Sequence, residues 1–293
     1  MRDAPQPTLD AVVITRDEAV DLPGLLANAL AFCDRVVVVD DRSTDGTPEL
    51  VREWEDREPG RVVLVEREMR SGEGFAAQRN AGLDASTADW VLHLDADMRA
   101  TPEAAAEIRR AISAASESAF RVRLLNHFLH RPVRGGGWQH WNKPWLARRG
   151  AHRFVGEVHE RVEVGGGVGQ IAAPLWHLND ADWTERVRKN TQYMQASGQR
   201  IVERGVRVRW VHMVAHPLWR ALKSYTVQGG WRDGTRGVML AMYTLTGTFN
   251  WWAYAWDAQN RIPRERLEGE LRDRWAAADS AVAPRVPAEA PAA

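Results

Sequence analysis

An α/β fold built on a mostly parallel sheet is what this sequence predicts, and three observations carry that expectation. Arg35 to Asp40 holds four consecutive valines, the pattern of a parallel strand buried on both faces. Strand-like and helix-like stretches alternate four times up to Asp97 with short connections, as right-handed βαβ units require. The fourth strand, Asp89 to Asp97, is apolar through Trp90, Val91, Leu92 and Leu94 and meets carboxylates only where it should leave the sheet. In open α/β sheets ligands bind beyond the carboxyl ends of strands, so this end is where a site is expected.

Taken in order, Leu9 to Thr15 reads as the first strand, Arg16-Asp17-Glu18 as its polar exit loop, and Leu22, Leu25, Leu26 and Leu30 as the apolar side of a helix. The valine strand ends in Asp40-Asp41-Arg42-Ser43-Thr44-Asp45-Gly46-Thr47, and a second helix begins near Pro48. Ser43, Thr44 and Asp45 suit turn and capping chemistry. The tandem Asp40-Asp41 at a buried strand end suits a ligand, accepting hydrogen bonds from a ribose or an imide base. Arg61 to Val65 is the third strand; a loop from Ser71 to Gly74 leads to a helix through Ala76, Ala77, Asn80, Ala81 and Leu83.

Asp95 and Asp97 stand two apart, so a regular strand would aim both carboxylates one way. Like charges on one face repel unless a cation lies between them, and a hard ion such as Mg²⁺ or Mn²⁺ fits two carboxylates. The alternative is a solvated loop. No Gly-x-Gly-x-x-Gly follows the first strand and no Gly-x-x-x-x-Gly-Lys-Ser/Thr occurs, which disfavours a dinucleotide fold and a P-loop nucleotidase. Lys plus Arg and Asp plus Glu both number 39, so nothing in the charge balance calls for nucleic acid. The single cysteine, Cys33, forbids an internal disulfide and points to a reducing compartment, and the residues from Met1 to Pro7 lack an apolar signal core, so a cytoplasmic chain is expected.

Four pieces, in this order and at this spacing, resemble the family 2 glycosyltransferases: Val12 to Glu18, Val38 to Thr47, Gln78-Arg79-Asn80-Ala81-Gly82 and Leu94-Asp95-Ala96-Asp97. The resemblance implies a GT-A domain that binds a nucleotide-diphosphosugar, with Thr15, Glu18 and Asp41 around base and ribose, and Asp40 and Arg79 also at the donor. It implies that Asp95 and Asp97 meet the metal-bound diphosphate and that transfer inverts the anomeric centre. Arg42 stands where the family more often has Gly. The later stretches Arg123 to Leu129, Gly136-Gly137-Trp138, Ala147 to Gly150, Val158-His159-Glu160, Pro217 to Arg220 and Gly230 to Gly234 are similar to the branch that includes lipopolysaccharide core glucosyltransferases. That branch implies an acceptor hydroxyl on a glycolipid or glycan, with Lys143 or Arg148 at the phosphates and Glu160, supported by His159, as the general base; Glu157 is the competing carboxylate. Lys143, Arg148 and Arg149 could equally form a solvated basic cluster. His177 reads as a packed, hydrogen-bonded histidine rather than a metal ligand.

The expected organisation is a catalytic domain over 8–180, a helical extension over 181–275 and a disordered Ala- and Pro-rich tail over 276–293. Many of the 14 tryptophans fall after Trp138. Trp210 to Val227 reads as an amphipathic helix. Gly237 to Trp256 carries no charge and is long enough to span a bilayer, yet its Thr and Asn content and its arginine flanks fit an anionic membrane interface better; a core helix is the alternative. The rival functions are a sugar-nucleotide pyrophosphorylase, whose Gly-rich basic loop after the first strand is missing, and a non-catalytic membrane-surface scaffold with the same fold.

Overall fold

A computed structural model describes residues 6–70, 73–139, 141–156 and 160–282. The chain opens with β1 (Leu9–Thr15), α1 (Leu22–Leu30), β2 (Arg35–Asp40), α2 (Thr47–Arg57), β3 (Val62–Glu66), α3 (Phe75–Ala85) and β4 (Trp90–Asp95). These strands pair in parallel, as the alternation predicts, and their order is β3-β2-β1-β4. The valine run is buried on both faces. Val36 and Val38 join the core beneath α1, with Leu22, Leu25 and Leu26, while Val37 and Val39 join Val12, Val91 and Leu83 of α3 on the other side. Alternation of side chains across a strand sends neighbours to opposite layers, so a strand between two helical layers must be apolar throughout.

Beyond β4 the sheet is mixed. β5 (Met98–Ala100), α4 (Pro102–Ala114), β6 (Ala119–Phe128), β7 (Arg131–Pro132), β8 (Asn142–Arg148) and β11 (Val168–His177) follow, with the hairpin of β9 (His152–Val155) and β10 (Arg161–Val164) forming a separate two-stranded sheet. β8 inserts antiparallel between β4 and β6, β11 runs parallel to β6, and β5 pairs antiparallel with β11 at the edge. Trp90 and Phe120 meet at 5.7 Å between ring centroids, beside Leu146 and Ile171 in one continuous core. The fold is therefore a mixed, GT-A-like sheet with helices on both faces.

The helical extension comprises α5 (Trp183–Glu203), α6 (Trp210–Tyr225), a 3₁₀ turn (Gly230–Asp233), α7 (Thr235–Asn260) and α8 (Arg264–Val282). Helix α8 thus runs past Ala276, where the composition had suggested an unstructured tail. By contacts the chain divides into two compact units, one of Met1–Lys189 with Arg220–Thr244 and one of Asn190–Trp219 with Leu245–Ala293. In the second unit, Gly198 lies so close to Tyr254 that a Cβ there would stand 2.5 Å from its ring. His212 stacks on Trp252, whose indole N–H donates to Nδ1 of His216 at 2.9 Å. No helix among the described residues is long and apolar enough to cross a membrane.

Candidate active site

The carboxyl ends of β1, β2 and β4 carry the polar residues that the sequence singles out. Strand β4 ends at Asp95, and Ala96-Asp97 form a turn into β5, so a turn and not a strand pleat juxtaposes the two carboxylates. Arg99 braces this turn by donating to the carbonyls of Ala96 and Met98 at 2.7 Å each and to that of Asp21 at 2.7 Å. The β5–β11 pairing sets His177 opposite Met98, which brings its imidazole to Asp97: Nε2 lies 3.3 Å from Oδ2. Asp95, Asp97 and His177 each offer a ligand atom within 4.8 Å of the others, a cluster that can hold a divalent metal ion.

Three further observations fit a cation there. Oδ1 of Asp97 is buried and has no hydrogen-bond partner, a costly state that a metal ion would relieve. Nδ1 of His177 lies 2.6 Å from Oδ1 of Asn126 and donates its proton there, so that in the neutral ring Nε2 carries the lone pair, the tautomer a metal ligand needs. Acidic groups also crowd the position. Burial first, and the Asp97 charge second, push Glu18 up to about 7 and raise Asp21 as well. Burial by itself would also raise Asp97, but the hydrogen bond and charge of His177 outweigh it and hold that carboxyl below its usual range. The converse holds for His177, which burial alone would lower but which the hydrogen bond to Asp97 and the charges of Asp97 and Asp95 raise. Two carboxylates with an imidazole form a mostly hard donor set, suited to Mg²⁺ or Mn²⁺.

Arg79 is buried in α3 and donates from Nη2 to Oδ1 of Asp95 at 2.6 Å, while its Nε stands 3.6 Å from Oε1 of Glu160. One guanidinium thus joins the carboxylate cluster to Glu160, just before β10, and it lies over the Trp145 ring at 4.9 Å. His159 and Glu157 lie outside the described residues. Thr15 donates to Oδ1 of Asp40 at 3.1 Å, and the same buried carboxylate accepts from the amide and hydroxyl of Ser43 at 2.9 and 2.6 Å. Asp40 therefore spends its oxygens inside the protein. Asp41 accepts from the Met69 amide at 2.7 Å and from Arg16 at 3.1 Å. The amide of Glu18 donates to the Thr47 hydroxyl at 3.0 Å, while its carboxyl feels Asp97 and Asp95.

The basic residues separate. Strand β8 runs antiparallel to β4, with Leu146 opposite Leu92 and Arg148 opposite Trp90. Lys143 consequently lies toward the Asp95 end, and Arg148 lies at the other end of β4. There Arg148 covers the Trp90 ring at 4.7 Å and donates to the carbonyls of Ala115 and Glu117. Asn126, Asp21, Arg99 and Lys189 were given no role by the sequence. Lys189 donates to the Asn179 carbonyl at 2.6 Å and acts electrostatically on Glu18 and Asp97. The Arg123 to Leu129 stretch marked the Asn126 region, but nothing in it says that Asn126 faces a histidine some fifty residues later.

A mixed α/β sheet with an Asp-x-Asp turn at the carboxyl end of β4 defines a GT-A glycosyltransferase. The chain belongs to glycosyl transferase family 2, whose model matches residues 10–166, more than half of its length. It is 28% identical over 244 residues to the lipopolysaccharide core biosynthesis glycosyltransferase LpsC of Rhizobium meliloti, covering 81% of this chain and 88% of that protein. It is 33% identical over 115 residues to the undecaprenyl-phosphate 4-deoxy-4-formamido-L-arabinose transferase of Aeromonas hydrophila, covering 37% of this chain and 34% of that one. Among solved structures, the mannosyltransferase PcManGT from Pyrobaculum calidifontis in complex with GDP-Man and Mn²⁺ superposes with a TM-score of 0.46 at 19% identity, over 86% of each chain.

Proposed function

We propose that this enzyme transfers one sugar from a nucleotide-diphosphosugar to an acceptor hydroxyl of a lipid-linked or cell-envelope glycan, with inversion at the anomeric carbon. The observation that carries the proposal is the Asp95–Asp97–His177 cluster joined through Arg79 to Glu160. The transfer needs the growing charge on the leaving diphosphate neutralised, and a proton removed from the attacking hydroxyl. Mg²⁺ or Mn²⁺, held by Asp95, Asp97 and His177, would supply Lewis-acid stabilisation of that leaving group. Glu160 takes the acceptor proton. Arg79 fixes Glu160 relative to Asp95, so the distance between base and leaving group is set by one buried guanidinium. Thr15, Asp41 and Glu18 line the base and ribose side, with Asp40 holding Thr15 and Ser43 in place. Lys143 adds positive charge at the Asp95 end. The relatives named for lipopolysaccharide core biosynthesis and for undecaprenyl-phosphate support the acceptor class.

The same reading makes the enzyme peripheral on an anionic membrane face. Its support is in the part of α6 that belongs to the second unit, where Trp210, Val211, Val214, Leu218 and Trp219 are all exposed, next to Arg207 and Arg209. A helix with exposed Trp and Leu on one side and arginines near its start suits the headgroup region.

Removal of divalent ions tests the central claim. EDTA should abolish transfer from the competent donor, and Mn²⁺ or Mg²⁺ should restore it. Asp97→Asn should weaken donor binding even at saturating metal, read as a lost thermal shift across a panel of UDP-, GDP- and dTDP-sugars. Full activity in EDTA would overturn the proposed role of the cluster.

A further inference from the structure

A concave site separate from the carboxylate cluster lies in the first unit. It is a cavity of about 420 Å³ lined by Arg134, Gly137, Gln139, Gln228, Trp231 and Arg232, among others. None of its lining residues is a carboxylate. An acid close by, Asp233, is buried and already accepts the amides of Arg134 at 3.0 Å and Gly135 at 3.1 Å. It fixes the backbone that carries Arg134. Both guanidinium groups are exposed and have no carboxylate partner among the described residues; that of Arg232 lies 5.4 Å from the Trp231 ring centroid. Trp231 itself is 56% exposed, so its ring is accessible from solvent.

The wall segments are joined to each other. The Gly136 amide donates to the Gln228 carbonyl at 3.0 Å, and Ser224 donates to the Gly136 carbonyl at 3.0 Å. A Cβ on Gly135 would stand 2.2 Å from the Gly229 carbonyl oxygen, so the two wall segments meet backbone to backbone. The wall is also tied to the reaction centre. The carbonyl of Trp138, between lining residues Gly137 and Gln139, accepts from Nδ2 of Asn126 at 2.5 Å, and Oδ1 of that same Asn126 lies 2.6 Å from His177. Two hydrogen bonds therefore separate the cavity wall from the candidate metal ligand.

We propose that this cavity is an acceptor subsite for a saccharide that carries an anionic group, a phosphate or a carboxylate. The inference rests on the transferase reading for the word acceptor, and on the cavity alone for the ligand chemistry. The apolar C–H face of a pyranose lies on the exposed Trp231 ring, as sugars do on aromatic faces. Gln228 supplies an amide donor and acceptor for hydroxyls, while Gln139 braces the wall, its Oε1 accepting from the Gly137 amide at 3.0 Å. Arg134 and Arg232 take the anion with the forked, charge-assisted geometry that guanidinium groups give to phosphate and carboxylate. The volume falls within the range of small-molecule sites.

Isothermal titration of the full chain with glucose 6-phosphate, glucuronate, glucose and inorganic phosphate tests this. Either anionic sugar should bind at least about tenfold more tightly than glucose and than inorganic phosphate, and which of the two binds better separates phosphate from carboxylate recognition. Arg232→Gln and Arg134→Gln should each remove about that tenfold preference, and Trp231→Ala should weaken both sugars while Trp231→Phe keeps most of the affinity. All three positions changed are exposed at the surface, and a donor thermal shift unchanged in each variant shows that it is folded. Equal binding of glucose, equal binding of inorganic phosphate, or insensitivity to all the variants would overturn the proposal. So would displacement of the bound sugar phosphate by UDP or GDP, which would make the cavity part of the donor site. If sugar phosphate binds as expected while no nucleotide-sugar binds the wild type, the transferase reading fails and the anionic saccharide site stands. If a nucleotide-sugar binds and no anionic sugar does, the reverse holds.

Discussion

His177 shows how a single side chain takes its role from its two neighbours. Asn126 claims Nδ1, Asp97 faces Nε2, and the nearby carboxylates hold the imidazole above its ordinary value. A cation must displace the proton on Nε2, so metal binding releases protons and the apparent affinity for Mn²⁺ rises with pH through that raised value. Titration at pH 6 and pH 8.5 should show the gain in wild type, and His177→Gln should flatten it; an affinity independent of pH in both proteins would remove His177 from the metal shell. Glu160 is tested in the same register. Glu160→Gln keeps shape but takes no proton at neutral pH, and a general base contributes on the order of 10²–10⁴-fold in rate. The variant should bind donor and metal as before while kcat falls by at least two orders of magnitude by that estimate. Glu163→Gln, on the exposed side of β10, is the control and should leave kcat within about twofold.

At the scale of elements, β5 and β11 do what the Asp-x-Asp turn alone could not. Their antiparallel register, with His177 opposite Met98, carries a histidine from far along the chain to Asp97. The loop after β2 shows a complementary economy. Arg42 has φ of +52°, a left-handed conformation that glycine adopts without cost, which accounts for the family's preference for Gly at this position. The strand exits are knitted across the gap. The Thr44 amide donates to Asp17, the Asp17 amide to the Ser43 hydroxyl, and the Ala19 amide to Asp45. The turn chemistry read from Ser43, Thr44 and Asp45 is thus present, but it joins two loops as well as opening α2. Helix α3 sits on the sheet through Gly82, where a Cβ would lie 2.3 Å from Cγ1 of Val12. Glycine to alanine within a helix normally gains about 1 kcal/mol, but overpacking a fully formed contact costs about 1–3 kcal/mol. Since Val12 and Val39 are both buried and cannot give way, the second effect wins. Gly82→Ala should lower stability by about 1–2 kcal/mol in urea denaturation; a stabilised variant would mean that α3 can lift from the sheet.

The whole molecule presents an α/β catalytic unit and a helical unit whose outward side chains differ in kind from those of a simple core. In α7, Leu240, Ala241 and Ala255 are buried while Val238, Met242, Phe249 and Trp256 are exposed, so the uncharged stretch is neither a span nor a wholly buried helix. The more continuous apolar face belongs to α6. The protein should co-sediment with anionic liposomes and be released by high salt, because added ions shorten the Debye length. Trp210→Ser with Leu218→Ser should cut that binding by at least about tenfold without loss of fold, since each exposed apolar side chain contributes on the order of 1–3 kcal/mol on insertion. Unchanged binding in the double variant would move the contact elsewhere, and no binding at any lipid composition would remove it.

Periodicity and buried-strand composition determined the parallel block β3-β2-β1-β4, because a strand with helices on both sides can only be apolar along its whole length, and that is visible residue by residue. Asp95 and Asp97 were legible for the same local reason, as charges placed abruptly at the end of such a strand. The other half of the sheet was not legible. β6 and β11 alternate in burial over only part of their length and β8 has a continuous buried run at Trp145, Leu146 and Ala147, and which edge each one joins depends on pairing partners distant in sequence. His177 is the packed, hydrogen-bonded histidine that its sequence suggested, and only the β5–β11 register shows that it also faces Asp97. Arg79 likewise reads as one more motif residue until α3 buries its guanidinium between Asp95 and Glu160. Local sequence carries what a residue needs from its own neighbours in the chain; which charges meet across the sheet is decided by hydrogen-bond register, and that is a property of the folded structure.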